Sequence, residues 1–205
     1  MPRAPSSTAA ARRDAIVQVA FALIADRGLE GLRFADVARQ AGINNGTLLY
    51  YFASKDDLVQ AVGGYLVEQY SRMPGREAHF DPLKDPLAGL EWEFADARAR
   101  LADRSGVVYA ELLARAQRDA AIASLLRDID DQWRHWLLML LSAARERGLT
   151  RADLDLDLVA NAIMTGIRGV GIQVLINADR DLGEKLMDTL RDQIMTWLGA
   201  RGRIQ

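Results

Sequence analysis

The feature that most constrains this sequence is a very short segment, bounded at both ends, between Gly42 and Ser54. Gly42 breaks a helical pattern that begins at about Phe34, and Asn44 is a residue type that caps helix N-termini. A helix of about two turns follows. Ser54, with Asp57 three residues later, then forms a capping-box pattern that starts another helix. A tight turn between two such short helices is the geometry of a helix-turn-helix, which makes DNA the leading candidate partner.

Most of the remaining sequence also has helical periodicity, and β-branched alternation is scarce. The first predicted helix begins near Thr8. The other predicted helices cover about 34–41, 45–51, 54–70, 87–103, 106–117, 120–147, 155–177 and 183–199. Met73–Gly75 and two later prolines mark a break. We therefore expect an all-α fold of about nine helices. It comprises a flexible arm at 1–11, a three-helix domain at 12–60 with the helix-turn-helix at 33–52, and a larger helical bundle at 61–205.

Composition excludes several function classes. The 205 residues include no cysteine and two histidines, which excludes disulfides and thiolate metal sites and argues against a histidine-rich one. A glycine-rich phosphate loop, a nucleophile elbow and paired catalytic carboxylates are also missing from the sequence, so we expect no metal, no cofactor and no enzymatic activity. The net charge of −2 means that any DNA contact must come from a local patch. Arg3, Arg12 and Arg13 make the N-terminus basic.

Residues 154–176 are apolar over nearly the length of a membrane span. Asn161, Arg168 and Gln173 interrupt this segment, and a lone span with a central arginine is costly. The first ten residues also lack the apolar core of a signal peptide. We therefore expect a helix buried between protein surfaces, no membrane association and a cytoplasmic protein.

The short helix carries groups that suit a DNA duplex. The amide of Asn45 has the donor and acceptor that match adenine, and Gly46 allows close approach of the backbone. Thr47 offers a hydroxyl to a phosphate and a methyl to thymine. The candidate DNA-binding residues are Arg33, Asn44, Asn45, Gly46, Thr47, Leu49, Tyr50, Tyr51 and Lys55. Leu48 and Phe52 are expected to face the small core instead.

Residues 34–58, FADVARQAGINNGTLLYYFASKDDL, resemble the DNA-binding domain of the tetracycline-repressor (TetR) family, and the resemblance covers about residues 12–62. It implies a homodimeric transcriptional regulator, usually a repressor, that binds a palindromic operator and releases it when a small molecule enters the C-terminal domain. Thr47 and Lys55 match positions that contact DNA, and Tyr50 and Tyr51 match aromatic positions that touch the backbone. The sequence departs at Arg33, which stands where a capping threonine or serine is usual.

Two further departures concern the short helix. Asn44 replaces a serine or similar residue and keeps the capping ability. Leu49 stands where a tyrosine is common, which removes a hydroxyl and leaves an apolar contact. Because Arg33 cannot cap the second helix, we expect it to reach a phosphate.

The resemblance assigns ligand binding and dimerisation to residues 61–205. The last two predicted helices are expected to form a four-helix interface with those of a second subunit, although both would also fit the core of a monomer. The predicted dimer residues are Ile163, Ile167, Val170, Val174, Leu186, Leu190, Ile194 and Trp197. The helix at 54–70, with Gly63–Gly64 midway, is the expected lever between the ligand and the DNA.

The effector site is predicted from large aromatic, methionine and polar side chains, which would equally suit a plain core. These candidates are Trp92, Tyr109, Trp133, His135, Trp136, Met139, Met164 and Arg168. Arg168 needs a partner, which would be an acidic ligand, a residue across the dimer interface, or one of Glu91, Glu93 and Glu111. The alternative functions are an enzyme and a helical interaction or small-molecule-binding protein without regulatory DNA binding.

Overall fold

The computed structural model describes residues 7–71, 81 and 84–199, and these residues form nine α-helices and no strand. The helices are α1 (Ser7–Arg27), α2 (Phe34–Gln40), α3 (Asn45–Tyr51), α4 (Lys55–Ser71), α5 (Pro86–Arg100), α6 (Ser105–Ala116), α7 (Ala120–Glu146), α8 (Leu156–Asn177) and α9 (Arg180–Leu198). The predicted all-α fold is confirmed. The predicted break at residues 73–75 lies outside the described residues.

Two predicted bounds differ from the structure. Helix α1 begins at Ser7, close to the predicted start near Thr8, so residues 7–11 belong to α1 and not to the arm predicted at 1–11. The last helix begins at Arg180 instead of 183, because Asp179 accepts a hydrogen bond from the Leu182 backbone N–H at 2.9 Å and caps the helix there. Ala178, in the left-handed region at φ 51°, ends α8 and separates the two helices.

The chain divides into two compact units, and the first contains residues 1–70 and 107–128. Helix α1 contributes a fully buried apolar stripe to this unit, including Ile16 and Ile24, while Leu48 and Phe52 contribute from the α3 region. The division differs from the predicted boundary at residue 60, because most of α6 and the start of α7 pack with the N-terminal helices. We call this part the N-terminal unit.

The second unit contains residues 71–106 and 129–205, and we call it the C-terminal unit. Its core is formed by α5, α7, α8 and α9, with Leu90, Leu140, Ile163 and Leu198 fully buried. Within the described residues, α8 is the single helix long and apolar enough to cross a membrane. One face of α8 packs into this core, as expected, whereas its other face remains exposed.

Candidate nucleic-acid interface and tryptophan–carboxylate cluster

The α3 helix has one buried and one exposed side. The side-chain oxygen of Asn44 accepts a hydrogen bond from the Thr47 backbone N–H at 2.8 Å, which confirms the predicted cap. Leu48 and Phe52, four residues apart, are 0 and 2% exposed and fix the helix to the core of the N-terminal unit. The opposite side of α3 is therefore held facing the solvent.

That exposed side carries most of the predicted DNA-binding residues. Asn45 and Gly46 are exposed in the first turn, and Leu49 and Tyr50 are 52 and 83% exposed. Thr47 and Tyr51 are half-buried, and the Tyr51 ring meets the Tyr50 ring edge-on with 5.3 Å between centroids. Burying large apolar or aromatic surface normally stabilises a fold, so an exposed Leu–Tyr pair beside polar groups indicates a recognition surface.

Arg33 precedes α2 in an extended conformation and makes no side-chain capping bond, as its residue type predicts. Its side chain is exposed. Arg33 therefore lies at the surface and does not cap the N-terminus of α2.

Lys55 has a hydrogen-bond partner within the chain. Its ammonium Nζ donates a hydrogen bond to the Leu29 carbonyl oxygen at 2.8 Å, although the side chain is exposed. The Leu29 backbone N–H donates to Glu111 Oε2 on α6 at 2.9 Å. Gly28 makes room for that carboxylate: it adopts φ +71°, and a Cβ there would lie 3.0 Å from Glu111 Oε1.

Glu111 is a residue that sequence reasoning missed as part of this region, because its partner is 82 positions away. A second contact follows one turn later on α6. Arg115 bonds Asp56, in the first turn of α4, at 2.9 Å and Asp119 at 3.2 Å. Side chains from α6 therefore hold both the turn after α1 and the start of α4.

The middle of α4 is also held closely. A Cβ at Gly63 would lie 2.8 Å from Leu125 Cδ1 of α7, whereas nothing lies within 4 Å of the equivalent point at Gly64. The glycine pair is predicted to permit bending, and Gly63 also leaves room for the Leu125 side chain of α7. Helix α4 thus contacts α6 at Asp56 and α7 at Gly63 inside the N-terminal unit.

The C-terminal unit contains a buried carboxylate bound by two tryptophans. Trp133 and Trp136, one turn apart on α7, donate their indole N–H groups to Glu93 Oε1 and Oε2 at 2.6 and 3.1 Å. Glu93 is 8% exposed. Burial raises its pKa to about 7, against the opposing effect of the Trp133 and Trp136 hydrogen bonds. A carboxylate that changes charge near neutral pH is therefore present between α5 and α7.

Arg168 completes this cluster from α8. It forms a two-point ion pair with Asp130, with Nη1 to Oδ2 at 3.1 Å, and its guanidinium carbon lies 5.2 Å from the centroid of the Trp133 ring. Its carboxylate partner is thus Asp130, which was not among the predicted Glu91, Glu93 and Glu111. We call Glu93, Trp133, Trp136, Arg168 and Asp130 the tryptophan–carboxylate cluster.

The other predicted effector residues do not all join it. Met139 and Met164 belong to the same packed core, and Trp92 is half-buried on α5. Trp92 lines an open groove of about 360 Å³ with Phe94, Arg98 and Asp188. The remaining two candidates are Tyr109, which belongs to the N-terminal unit and meets Tyr70 there, and His135, which is exposed.

The predicted dimer residues lie mostly in the core of the single chain. Ile163, Val170 and Ile194 are 0, 8 and 5% exposed, so they have almost no surface to offer a second subunit. Four more pack partly buried against the same core, namely Ile167, Leu186, Leu190 and Trp197. Val174 is half-buried. They were predicted from helical spacing, which finds an apolar face without distinguishing internal packing from an interface.

The exposed apolar surface lies on the other face of these helices. It consists of Leu158, Ile172, Leu175 and Ile176 on α8 and Leu182 on α9, each 42% exposed or more. We call these five residues the α8–α9 apolar row. Nothing in the described chain covers this row.

Two different family models match the N-terminal and the C-terminal parts of this chain. Residues 16–62 match the model of bacterial regulatory proteins of the tetR family, and residues 91–199 match that of the BetI-type transcriptional repressor C-terminal region. The HTH-type transcriptional repressor KstR2 of Mycobacterium tuberculosis is 32% identical over 153 residues, covering 72% of this chain and 74% of the relative. The HTH-type transcriptional regulator CymR of Pseudomonas putida is 26% identical over 180 residues, covering 85% and 84%.

Solved structures share this fold. A TetR transcription regulator from Haloarcula marismortui superposes with a TM-score of 0.80 at 21% identity, covering 93% of this chain and 98% of the other. A regulator from Saccharomonospora viridis, solved in complex with choline, gives a TM-score of 0.77 at 25% identity, covering 90% and 96%.

Proposed function

This chain belongs to the TetR family of bacterial transcriptional regulators, which bind DNA and are not enzymes, and we propose that it represses transcription as a homodimer on a palindromic operator. The family supports a ligand-responsive DNA-binding regulator, and not the alternative functions of an enzyme or of a helical protein without DNA binding. Proteins of this kind are soluble. We also propose the dimeric state, the symmetry of the operator, a cytoplasmic location, and the residues that contact DNA and the effector.

The exposed side of α3 is the observation that carries the DNA-binding assignment. Asn45 and Gly46 stand in the first turn, where a helix in the major groove presents its residues to base edges. Asn45 would pair with an adenine, Thr47 with a phosphate or a thymine methyl, and Leu49 with a thymine methyl. Tyr50 and Tyr51 would donate to phosphate oxygens at the end of the helix.

The α8–α9 apolar row supports the dimer. Two copies packed along α8 and α9 would bury the row in a four-helix contact, which removes apolar surface from water. A two-fold dimer then presents two copies of α3, and its symmetry matches a palindromic operator with half-sites about one helical turn apart.

The tryptophan–carboxylate cluster supports an effector site in the C-terminal unit. The S. viridis regulator is in complex with choline, a quaternary ammonium compound. Cations of this type are attracted by tryptophan rings and by carboxylates. We propose that a cationic effector would bind beside Trp133 and Glu93 and compete with Arg168 for the tryptophan ring.

Release of DNA would follow from a shift between two conformers of the N-terminal unit. An effector acts only if it binds the conformer whose two α3 helices are wrongly spaced more tightly than the other. Helix α4 is held by α6 at Asp56 and by α7 at Gly63, and α7 continues along the chain into the C-terminal unit. These contacts supply the route by which movement of α6 or α7 would reposition α3.

The first experiment selects genomic DNA fragments with the purified full-length chain and then measures affinity for the recovered fragments. We expect a palindromic sequence and an affinity that falls steeply with salt. Choline and tetramethylammonium are then titrated into the complex. Release by these cations from the wild type, but not from Glu93→Gln, supports the effector proposal, whereas fragments with no shared sequence would contradict the operator proposal.

A further inference from the structure

Several basic residues near α3 are already engaged within the chain. Arg27 and Arg39 both pair with Asp36, and Arg27 also pairs with Asp26. The Lys55 ammonium donates to the Leu29 carbonyl. Their charges are therefore partly compensated by partners within the chain, whereas a DNA backbone is bound by cations that are available to it.

Arg13 is different. It is exposed in the second turn of α1 and forms no ion pair with any carboxylate in the part of the chain that the structure describes. Its guanidinium carbon lies 4.9 Å from the centroid of the Phe52 ring. Phe52 is 2% exposed, so Arg13 covers the ring on one side and meets solvent on the other. The cation–π contact therefore favours this position of the arginine side chain beside Phe52.

That place is beside the end of α3. Phe52 directly follows Tyr51 and Tyr50, and Tyr50 is 83% exposed. The guanidinium group suits an anion here, because it is exposed and carries several N–H donors that can bind phosphate oxygens in two-point contacts. An exposed arginine against the residue that ends α3 therefore matches the chemistry of a backbone phosphate.

We propose that Arg13 binds a phosphate of the DNA backbone next to the phosphates that meet the end of α3, which makes α1 a second DNA-contacting element. The assignment rests on DNA binding by the family fold and adds a residue outside the helix-turn-helix. Arg13 contributes affinity without reading bases, since phosphate contacts position a protein on the duplex.

The test measures operator affinity of the full-length protein against salt concentration. Arg13→Met removes the charge and keeps an unbranched apolar side chain over Phe52, while Arg13→Lys keeps the charge. Arg127→Met is the matched control, because Arg127 is an exposed arginine on α7, which packs against the middle of α4. Thermal unfolding of each variant shows whether the N-terminal unit is intact.

Each phosphate neutralised contributes about 0.9 to the slope of log affinity against log salt. A dimer with two Arg13 contacts should thus lose roughly 2 from the slope in Arg13→Met, and about 30-fold in affinity at 0.15 M salt. Arg13→Lys should keep most of the slope, and Arg127→Met should keep all of it.

If Arg13→Met kept the wild-type slope of log affinity against log salt, the inference would be overturned, even if the affinity fell. A displaced α3 would lower the affinity without changing the number of phosphates that arginine and lysine side chains neutralise. An equal loss of slope in Arg127→Met would also overturn it, since the effect would then be general charge. Absence of salt-dependent binding by the wild type would instead contradict the proposed function itself.

Discussion

A Glu93→Gln variant should lose the part of the pH dependence of stability that Glu93 gives the wild-type chain between pH 4.5 and 7. In the folded chain burial raises the pKa of Glu93 to about 7, whereas the unfolded chain has the ordinary value of 4.5. Between these values the folded chain holds a proton that the unfolded chain lacks. The contribution to stability is therefore fully present below pH 4.5 and is lost as the pH rises through 7.

The size of this loss follows from the same interval. At about 1.4 kcal/mol for each pH unit, the unfolding free energy falls by roughly 3 kcal/mol between pH 4.5 and pH 8. Glutamine has a single side-chain acceptor oxygen, so one of the two indole N–H groups of Trp133 and Trp136 is left without its partner. That costs about 1–3 kcal/mol at every pH, which makes the change with pH the informative quantity.

The assay is urea unfolding followed by far-UV circular dichroism at pH 5 and pH 8.5, at one protein concentration because dimerisation also adds stability. Wild type minus Glu93→Gln should change by about 3 kcal/mol between the two pH values. Glu91→Gln is the control, because Glu91 is exposed two residues earlier on α5. A difference that stays constant with pH would refute the reasoning, since it would mean that Glu93 titrates normally in the folded chain.

Four other substitutions test three separate contacts. Gly64→Ala should stabilise the chain by about 1 kcal/mol in urea unfolding through helix propensity. Gly63→Ala should lose that gain of about 1 kcal/mol, because its Cβ would lie 2.8 Å from Leu125 Cδ1 and the Leu125 side chain must shift; equal effects would contradict the close packing of α7. Glu111→Ala should cost about 1–2 kcal/mol of unfolding free energy by removing the acceptor of the Leu29 N–H, and an unchanged midpoint would count against that bond. Ile176→Glu should shift the protein from dimer to monomer in analytical ultracentrifugation, and a persistent dimer would place the interface elsewhere.

Local sequence signals predicted the structure of the short helix α3 and of its two flanking caps well. The caps at Asn44 and Ser54 and the buried pair Leu48 and Phe52 all depend on residues within four positions of one another. Helical periodicity and capping chemistry act over that range, so the pattern in the sequence is sufficient. The exposed side of α3 then follows by elimination.

Contacts between distant segments were not predictable in the same way. Glu111 accepts a hydrogen bond from Leu29, which is 82 positions away in the sequence. Arg168 pairs with Asp130 and not with Glu91, Glu93 or Glu111, which were equally plausible partners from composition. The dimer residues stay a prediction for a related reason: α8 is apolar on two faces, and spacing alone does not distinguish the face that packs in the core from the face that could meet a second subunit. Burial in the folded chain assigned Ile163 to the core and Ile176 to the surface.

The central claim is that the exposed side of α3 reads DNA sequence. The most direct test is the ratio of affinities for the selected operator and for a shuffled duplex of the same length, at one salt concentration. The wild type should prefer its operator by about 10³-fold or more. Asn45→Ala should lower that ratio by roughly tenfold or more for each adenine that the amide pairs with, while Gln40→Ala, at the exposed end of α2, should preserve it. A ratio near one for the wild type, or one that Asn45→Ala leaves unchanged, would contradict the account.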